Sequence, residues 1–186
     1  MKRIVILASG SGTLAQSIFD AGLEADIVAV ISDQKNAPVL DRAHKARIET
    51  FTIPMLPDRA EWDRELETLI AALKPDLVVS AGFMRILSER ITSKFKIINS
   101  HPALLPLFPG AHAGRDALAA GATETGTTIH WVDGGVDTGE VIDQERVEIL
   151  PGDTEESLHE RIKIVERGLI VATIAKLLPT LEKING

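Results

Sequence analysis

The chain has 186 residues, 45 % apolar, 25 % charged and 4 % aromatic, with no cysteine and a formal net charge of −7. That balance fits one soluble globular domain with a real core, spanning residues 1–186. It excludes disulfides, a thiol nucleophile and a thiolate metal site, and it argues against a nucleic-acid surface or an anionic membrane patch.

Met1-Lys2-Arg3 leads straight into Arg3–Ala8, an apolar β-branched run that reads as a strand buried on both faces. This is not the pattern of a cleaved signal peptide, and no apolar run approaches the ~20 residues of a membrane span. A cytoplasmic protein is therefore expected. Ser9-Gly10-Ser11-Gly12-Thr13 follows, then a helix over Leu14–Ala21 stopped by Gly22. Strand, small-residue turn and helix N-terminus together make an anion site, because free amides and the helix dipole point at the turn. A tight connection without ligand is the alternative reading. The turn is neither a complete G-x-G-x-x-G, since Ala15 holds the last position, nor a P-loop, which needs a lysine.

Strands are expected at Asp26–Ile31, Thr50–Ile53 and Asp76–Ala81, and helices at Pro38–Ala46 and Arg59–Leu73. Asp58 is a natural N-cap for the longer helix. Val39, Leu40 and Ala43 mark the buried side of the first helix, and Trp62, Leu66, Leu69, Ile70 and Leu73 that of the second. Arg59, at a helix start, is poorly placed for the dipole, so it is either solvated or paired with an anionic ligand. Gly82–Leu87 is an apolar loop where loops are normally polar, which predicts a lid on the core or the wall of a pocket for a flat ligand.

A fifth strand, Lys96–Asn99, ends in Asn99-Ser100-His101-Pro102. Pro102 disfavours helix at His101, so the extended form should persist through the histidine. Asn99 and His101 then share a face and Ser100 points the other way. A neutral amide donor beside a titratable imidazole could hold a polarised carbonyl oxygen. A short helix is expected near Arg115–Ala120, followed by a half-buried strand over Thr127–Val132 and its antiparallel return over Val141–Val147. Thr154 opens a last helix with a core stripe of Leu158, Ile162, Val165, Leu169 and Ala172, and the end frays at Glu182–Gly186. The alternation of strand and helix gives an α/β, Rossmann-like, mostly parallel sheet flanked by helices, with an antiparallel C-terminal strand pair. The small-residue turn, the apolar loop and the Asn99–His101 pair all fall at the carboxyl edge, where such sheets bind ligands.

Asp137, in a Gly-rich turn, is the candidate third member of the site. A carboxylate near His101 would favour the imidazolium and could take a proton itself or through a water. That is an acyl-transfer site whose nucleophile belongs to the substrate. There is no G-x-S-x-G elbow for a serine nucleophile. The five histidines, at 44, 101, 112, 130 and 159, show no metal-ligand spacing, so no metal is expected. Asp133 and Asp137 could also simply form the turn.

Asn99–Pro106, Ala81–Leu87 and Val136-Asp137-Thr138-Gly139 closely resemble the 10-formyltetrahydrofolate-using formyltransferases, and among them the phosphoribosylglycinamide formyltransferase family. The likeness runs from Ile4 to about Leu178. It implies 10-formyltetrahydrofolate as formyl donor, 5-phosphoribosylglycinamide as acceptor, and no metal. It implies that Asn99 and His101 hold the oxyanion and that Asp137 sets the charge of His101. Substrate would meet Ser11, Gly12, Thr13 and Leu14 through its phosphate, and Lys163 and Glu166 through its ribose or glycyl amine. Folate would lie against Arg59, Met84, Arg85, Ile86, Leu87, Asn99, Val132, Asp133, Gly134, Gly135, Val136 and Asp137. The partners implied are these small molecules, with no nucleic acid and no membrane; a homodimer is left open. The chain departs from the family pattern in the phosphate turn, where Gly-Ser-Asn-Leu is common and this chain has Gly12-Thr13-Leu14-Ala15 without the Asn side chain, and at Leu107, where a basic residue is common. Alternatives are a formyltetrahydrofolate hydrolase, another folate-dependent formyltransferase, and a non-catalytic nucleotide-binding module. The last predicts Asn99, His101 and Asp137 more than ~8 Å apart, beyond water-bridged reach.

Overall fold

The structure is a computed structural model that describes residues 1–182. Its strands are β1 (Lys2–Leu7), β2 (Ala25–Ser32), β3 (Glu49–Thr52), β4 (Leu77–Ser80), β5 (Ile97–His101), β6 (Glu124–Trp131) and β7 (Val141–Glu148). Its helices are α1 (Thr13–Asp20), α2 (Pro38–Lys45), α3 (Arg59–Leu73), α4 (Glu89–Thr92), α5 (Ala113–Ala119) and α6 (Glu155–Leu177). The seven strands form one sheet in the order β3-β2-β1-β4-β5-β6-β7. The first five run parallel; β6 is antiparallel to β5, and β7 to β6.

Alternation along β1 divides the core between the two faces of the sheet. Ile4 and Ile6 pack with α1, α2 and α6. Val5 and Leu7 pack with Trp62, Leu66 and Ile70 of α3. That is why Ile4–Leu7 has no polar residue: both faces are covered. The expected Asp58 cap is present, its carboxylate accepting from the amides of Ala60 at 2.9 Å and Glu61 at 3.3 Å. Helix α6 carries a capping box between Thr154 and Ser157.

Three expectations shift. Ala172 is exposed, and the inner stripe of α6 runs instead through Ile170, Thr173 and Ile174. Leu69 and Leu73 lie at the edge of the α3 core and are only partly buried. The single turn α4 has no periodic signature in four residues, so the sequence did not mark it. Of the frayed end expected at Glu182–Gly186, residues 183–186 lie outside the described residues.

Candidate active site

The extended form does persist to His101, the last residue of β5. Asn99 pairs across the ladder with His130, and His101 with Thr128. Opposed residues of an antiparallel pair share a face, so β6 brings a second histidine beside Asn99. Ser100 turns to the other face. Its hydroxyl donates to Glu166 of α6 and lies 3.5 Å from Thr127 Oγ1. Thr128 anchors the loop after β5, donating to the Ala103 carbonyl at 2.6 Å and accepting from the Leu105 amide at 3.1 Å. His101 thus leaves a strand on one side and meets a pinned loop on the other.

Asp137 lies between the two imidazoles. Its Oδ2 is 3.3 Å from His101 Nδ1, and its Oδ1 is 3.6 Å from His130 Nε2. The Gly110 amide donates to Oδ2 at 2.8 Å. The His130 imidazole, the Gly110 amide and the charge at His101 together outweigh burial and hold the Asp137 carboxyl below the usual carboxylate range. Asp137 itself has φ 54°, a left-handed conformation that a non-glycine residue keeps only where its surroundings require it. Gly139 is needed nearby, because a Cβ there would overlap the Trp131 carbonyl oxygen.

The partners assign the protons. His101 Nε2 lies 2.8 Å from the Phe108 carbonyl, which only accepts, so this nitrogen carries hydrogen. Nδ1 faces a carboxylate oxygen. A ring with hydrogen on both nitrogens satisfies both neighbours, whereas a neutral ring would set two lone pairs against each other. His130 Nδ1 faces the Trp131 carbonyl at 2.8 Å, and Nε2 lies 3.2 Å from Asn99 Nδ2. His130 Nε2 thus faces both Asn99 Nδ2 and Asp137 Oδ1. Without a hydrogen it accepts from Asn99 and leaves the second amide N–H free, and with one it donates to Asp137.

A cavity of about 360 Å³ opens at this point, lined by Asn99, His101, His130 and Asp137 on its polar side. Met84, Arg85, Ile86, Val132, Asp133, Gly135 and Val136 line it too. The loop after β4 is both lid and wall. Phe83 and Leu87 are buried against α3, with Phe83 stacked on Trp62 at 6.3 Å, while Met84 and Ile86 are exposed. The Leu87 side chain is thus core, only 4 % exposed, and is no part of the cavity wall. Gly134 stands outside the wall, against Glu89. Asp133 closes its own turn, accepting from Gly135 N at 3.0 Å and Thr138 Oγ1 at 2.6 Å, and these bonds hold its carboxyl below the ordinary value.

Arg59 has partners on this chain and keeps a half-exposed side chain. It donates to Asp63 at 2.9 Å and to the Ile86 carbonyl, and its guanidinium lies 4.8 Å from the centre of the Trp62 ring. It therefore braces the same loop from α3. The small-residue turn lies outside the cavity wall. Gly12 has φ 76°, and a Cβ there would meet Val39 of α2 at 2.5 Å. The first turn of α1 has no acidic residue and no side-chain cap, so its amides are free for an anion. The Leu14 side chain packs into the core and leaves only its amide to the turn. Arg42 of α2 donates to the Ser11 carbonyl at 2.8 Å and brings a positive charge to the turn.

Lys163 pairs with Glu160 at 2.9 Å rather than with Glu166. Burial pushes the Glu166 carboxyl up, against the opposing bond from Ser100. His130, His159 and Arg42 are the residues that sequence reasoning missed. His130 was detectable in principle: Thr128-Ile129-His130 alternates polar and apolar, and pairing that strand with Asn99–His101 places it. His159 borders the cavity, and burial together with Lys163 holds its imidazole below the ordinary value. Arg42 has no signal apart from the close approach of α2 to the turn.

Sheet order, small-residue turn and an Asn–His–Asp group at one carboxyl edge fit an α/β group-transfer enzyme. Residues 2–174 match the model of the formyl transferase family. The chain belongs to that family. It is 48 % identical over 182 residues to the phosphoribosylglycinamide formyltransferase of Mycobacterium tuberculosis (strain CDC 1551 / Oshkosh), covering 94 % of this chain and 84 % of that one. The crystal structure of phosphoribosylglycinamide formyltransferase from Bacillus halodurans superposes with a TM-score of 0.92 at 37 % identity, over 98 % of each chain. Glycinamide ribonucleotide transformylase 1 from Symbiobacterium toebii gives 0.91 at 38 % identity, over 94 % of this chain and 86 % of that one. Among the described residues no helix is long and apolar enough to cross a membrane.

Proposed function

We propose that this enzyme transfers the formyl group of 10-formyltetrahydrofolate to the amine of 5-phosphoribosylglycinamide, giving formylglycinamide ribonucleotide and tetrahydrofolate in de novo purine (IMP) biosynthesis. The observation that carries this reading is the convergence of Asn99, His101 and Asp137 on one cavity in a chain of the formyl transferase family. The cavity suits the donor: exposed Met84, Ile86 and Val136 offer apolar surface to a flat ring, and the opposite side is polar.

The donor supplies an electrophilic formyl carbon, and the acceptor supplies a primary amine. As the amine adds, the carbonyl π pair moves onto oxygen. The free N–H of Asn99 and the Nε2–H of His101 receive that charge, the oxygen taking the place of the Phe108 carbonyl on His101. Asp137 orients His101 through Nδ1 and takes up a proton from the incoming nitrogen, directly or through a water. Asp137 then passes that proton to the leaving nitrogen as its bond to carbon breaks and the oxygen pair re-forms the carbonyl. The amides of Ser11, Gly12, Thr13 and Leu14, with Arg42, would hold the phosphate. Glu166 would meet ribose hydroxyls or the glycyl amine from α6, with Lys163 one turn before it.

The test is formation of formylglycinamide ribonucleotide from the two substrates, measured beside hydrolysis in the donor alone. Transfer at least about 100-fold faster than hydrolysis is expected, the scale of a positioned nucleophile. Hydrolysis without transfer makes the chain a formyltetrahydrofolate hydrolase instead.

A further inference from the structure

In a sheet of this order, an acidic residue ending the second strand, about 20 residues past the small-residue turn, is placed to hold a ribose hydroxyl. Asp33 stands there, just past the end of β2, and only 4 % of it is exposed. Its carboxylate is already taken. Ser9 Oγ donates to Oδ1 at 2.6 Å, while Arg85 Nε and Gln34 Nε2 donate to Oδ2 at 2.7 and 2.9 Å. Ser9 continues the chain of bonds: its hydroxyl accepts from the Met84 amide at 2.8 Å, and its own amide donates to the Gly82 carbonyl at 3.1 Å. Arg85–Asp33 is the one ion pair of the Gly82–Leu87 loop among the described residues.

Because β2, β1 and β4 are adjacent, the segments leaving their carboxyl ends meet at this carboxylate. We infer that Asp33 is a positioning residue that locks the turn after β1 to the loop after β4, and so couples the phosphate subsite to the folate wall. The names of the two subsites rest on the proposed function; the lock itself does not. Burial raises the Asp33 carboxyl, but the bonds from Ser9, Gln34 and Arg85 and the charge of Arg85 outweigh it and leave the group ionised. Its two oxygens serve three donors. No hydroxyl of a ligand is needed to satisfy it.

Asp33→Asn keeps the shape but offers one oxygen, and sets an N–H2 group against at least one donor. Amide hydrogen exchange is expected to quicken together in residues 10–13 and 82–87, by about tenfold or more, while β1 and α3 keep their protection. In steady-state kinetics KM should rise about tenfold for both substrates, with kcat within about threefold, because the Asn99–His101–Asp137 group is untouched. A merely structural role lowers melting temperature without this paired response. Faster exchange in one segment alone, or in neither, overturns the inference. If Asp33→Asn fails to fold, Ser9→Ala removes only the hydroxyl bridge and must give the same paired response at smaller size. If the wild-type chain transfers no formyl group, the proposed function falls, and paired exchange alone decides the role of Asp33.

Discussion

Two carboxylates stand at the carboxyl edge of one sheet, and their partners give them different work. Asp33 is held by a guanidinium, a hydroxyl and an amide, all fixed donors. Asp137 lies between two imidazoles and accepts from a single backbone amide. The first set cannot exchange protons near neutral pH, so it can only hold shape. The second contains imidazoles, whose ring nitrogens can give or accept hydrogen, and it opens on a cavity. Burial alone would not separate the two sites; the chemistry of the partners does.

Substitutions can break this contrast, and the largest effect falls on Asp137. Asp137→Asn removes the carboxylate that faces His101 Nδ1 and takes up the proton, and kcat should fall about 10²–10⁴-fold, the range of a lost proton-transfer group. Measured with both substrates saturating, an unchanged kcat removes Asp137 from the chemistry. His130→Ala comes next. It frees the Asn99 amide without touching His101, so kcat should drop about 10–100-fold, less than loss of an oxyanion donor itself. Loss equal to that of Asp137→Asn would make His130 a principal proton carrier. Arg59→Ala removes a brace behind Ile86, and the expected change is a few-fold higher KM for the folate donor alone.

The smallest effect concerns stability. Burial raises the Glu166 carboxyl above its ordinary 4.5, so its protonated form favours the folded state. That contribution is fully present below pH 4.5 and is lost as pH rises through the folded value. Thermal melts from pH 4.5 to 8 should show Glu166→Gln less sensitive to rising pH than the wild type. Asp137 has the opposite sign: its lowered carboxyl stabilises the fold above the ordinary Asp range and stops doing so as pH falls.

Local chemistry explains which parts were legible in the sequence. Helix α3 was readable to its ends because Asp58 caps it and Trp62, Leu66 and Ile70 recur at helical spacing. The extended His101 was readable because Pro102 constrains the residue before it. His130 was not, because its place depends on the register between β5 and β6, a long-range fact with only weak local marks. The inward turn of the Leu87 side chain was illegible for a related reason. An apolar loop can face core or ligand, and here Phe83 and Leu87 went inward while Met84 and Ile86 went outward. Arg59 looked free because the Ile86 carbonyl that holds it is 27 residues away.

The most direct measurement is kcat for formyl transfer by His101→Ala, with the fold checked by circular dichroism. The proposed site predicts a folded enzyme that has lost about 10²–10³-fold in kcat, as when a principal oxyanion donor is removed. A folded His101→Ala enzyme whose kcat stays within about threefold of wild type, well inside that range, would contradict it.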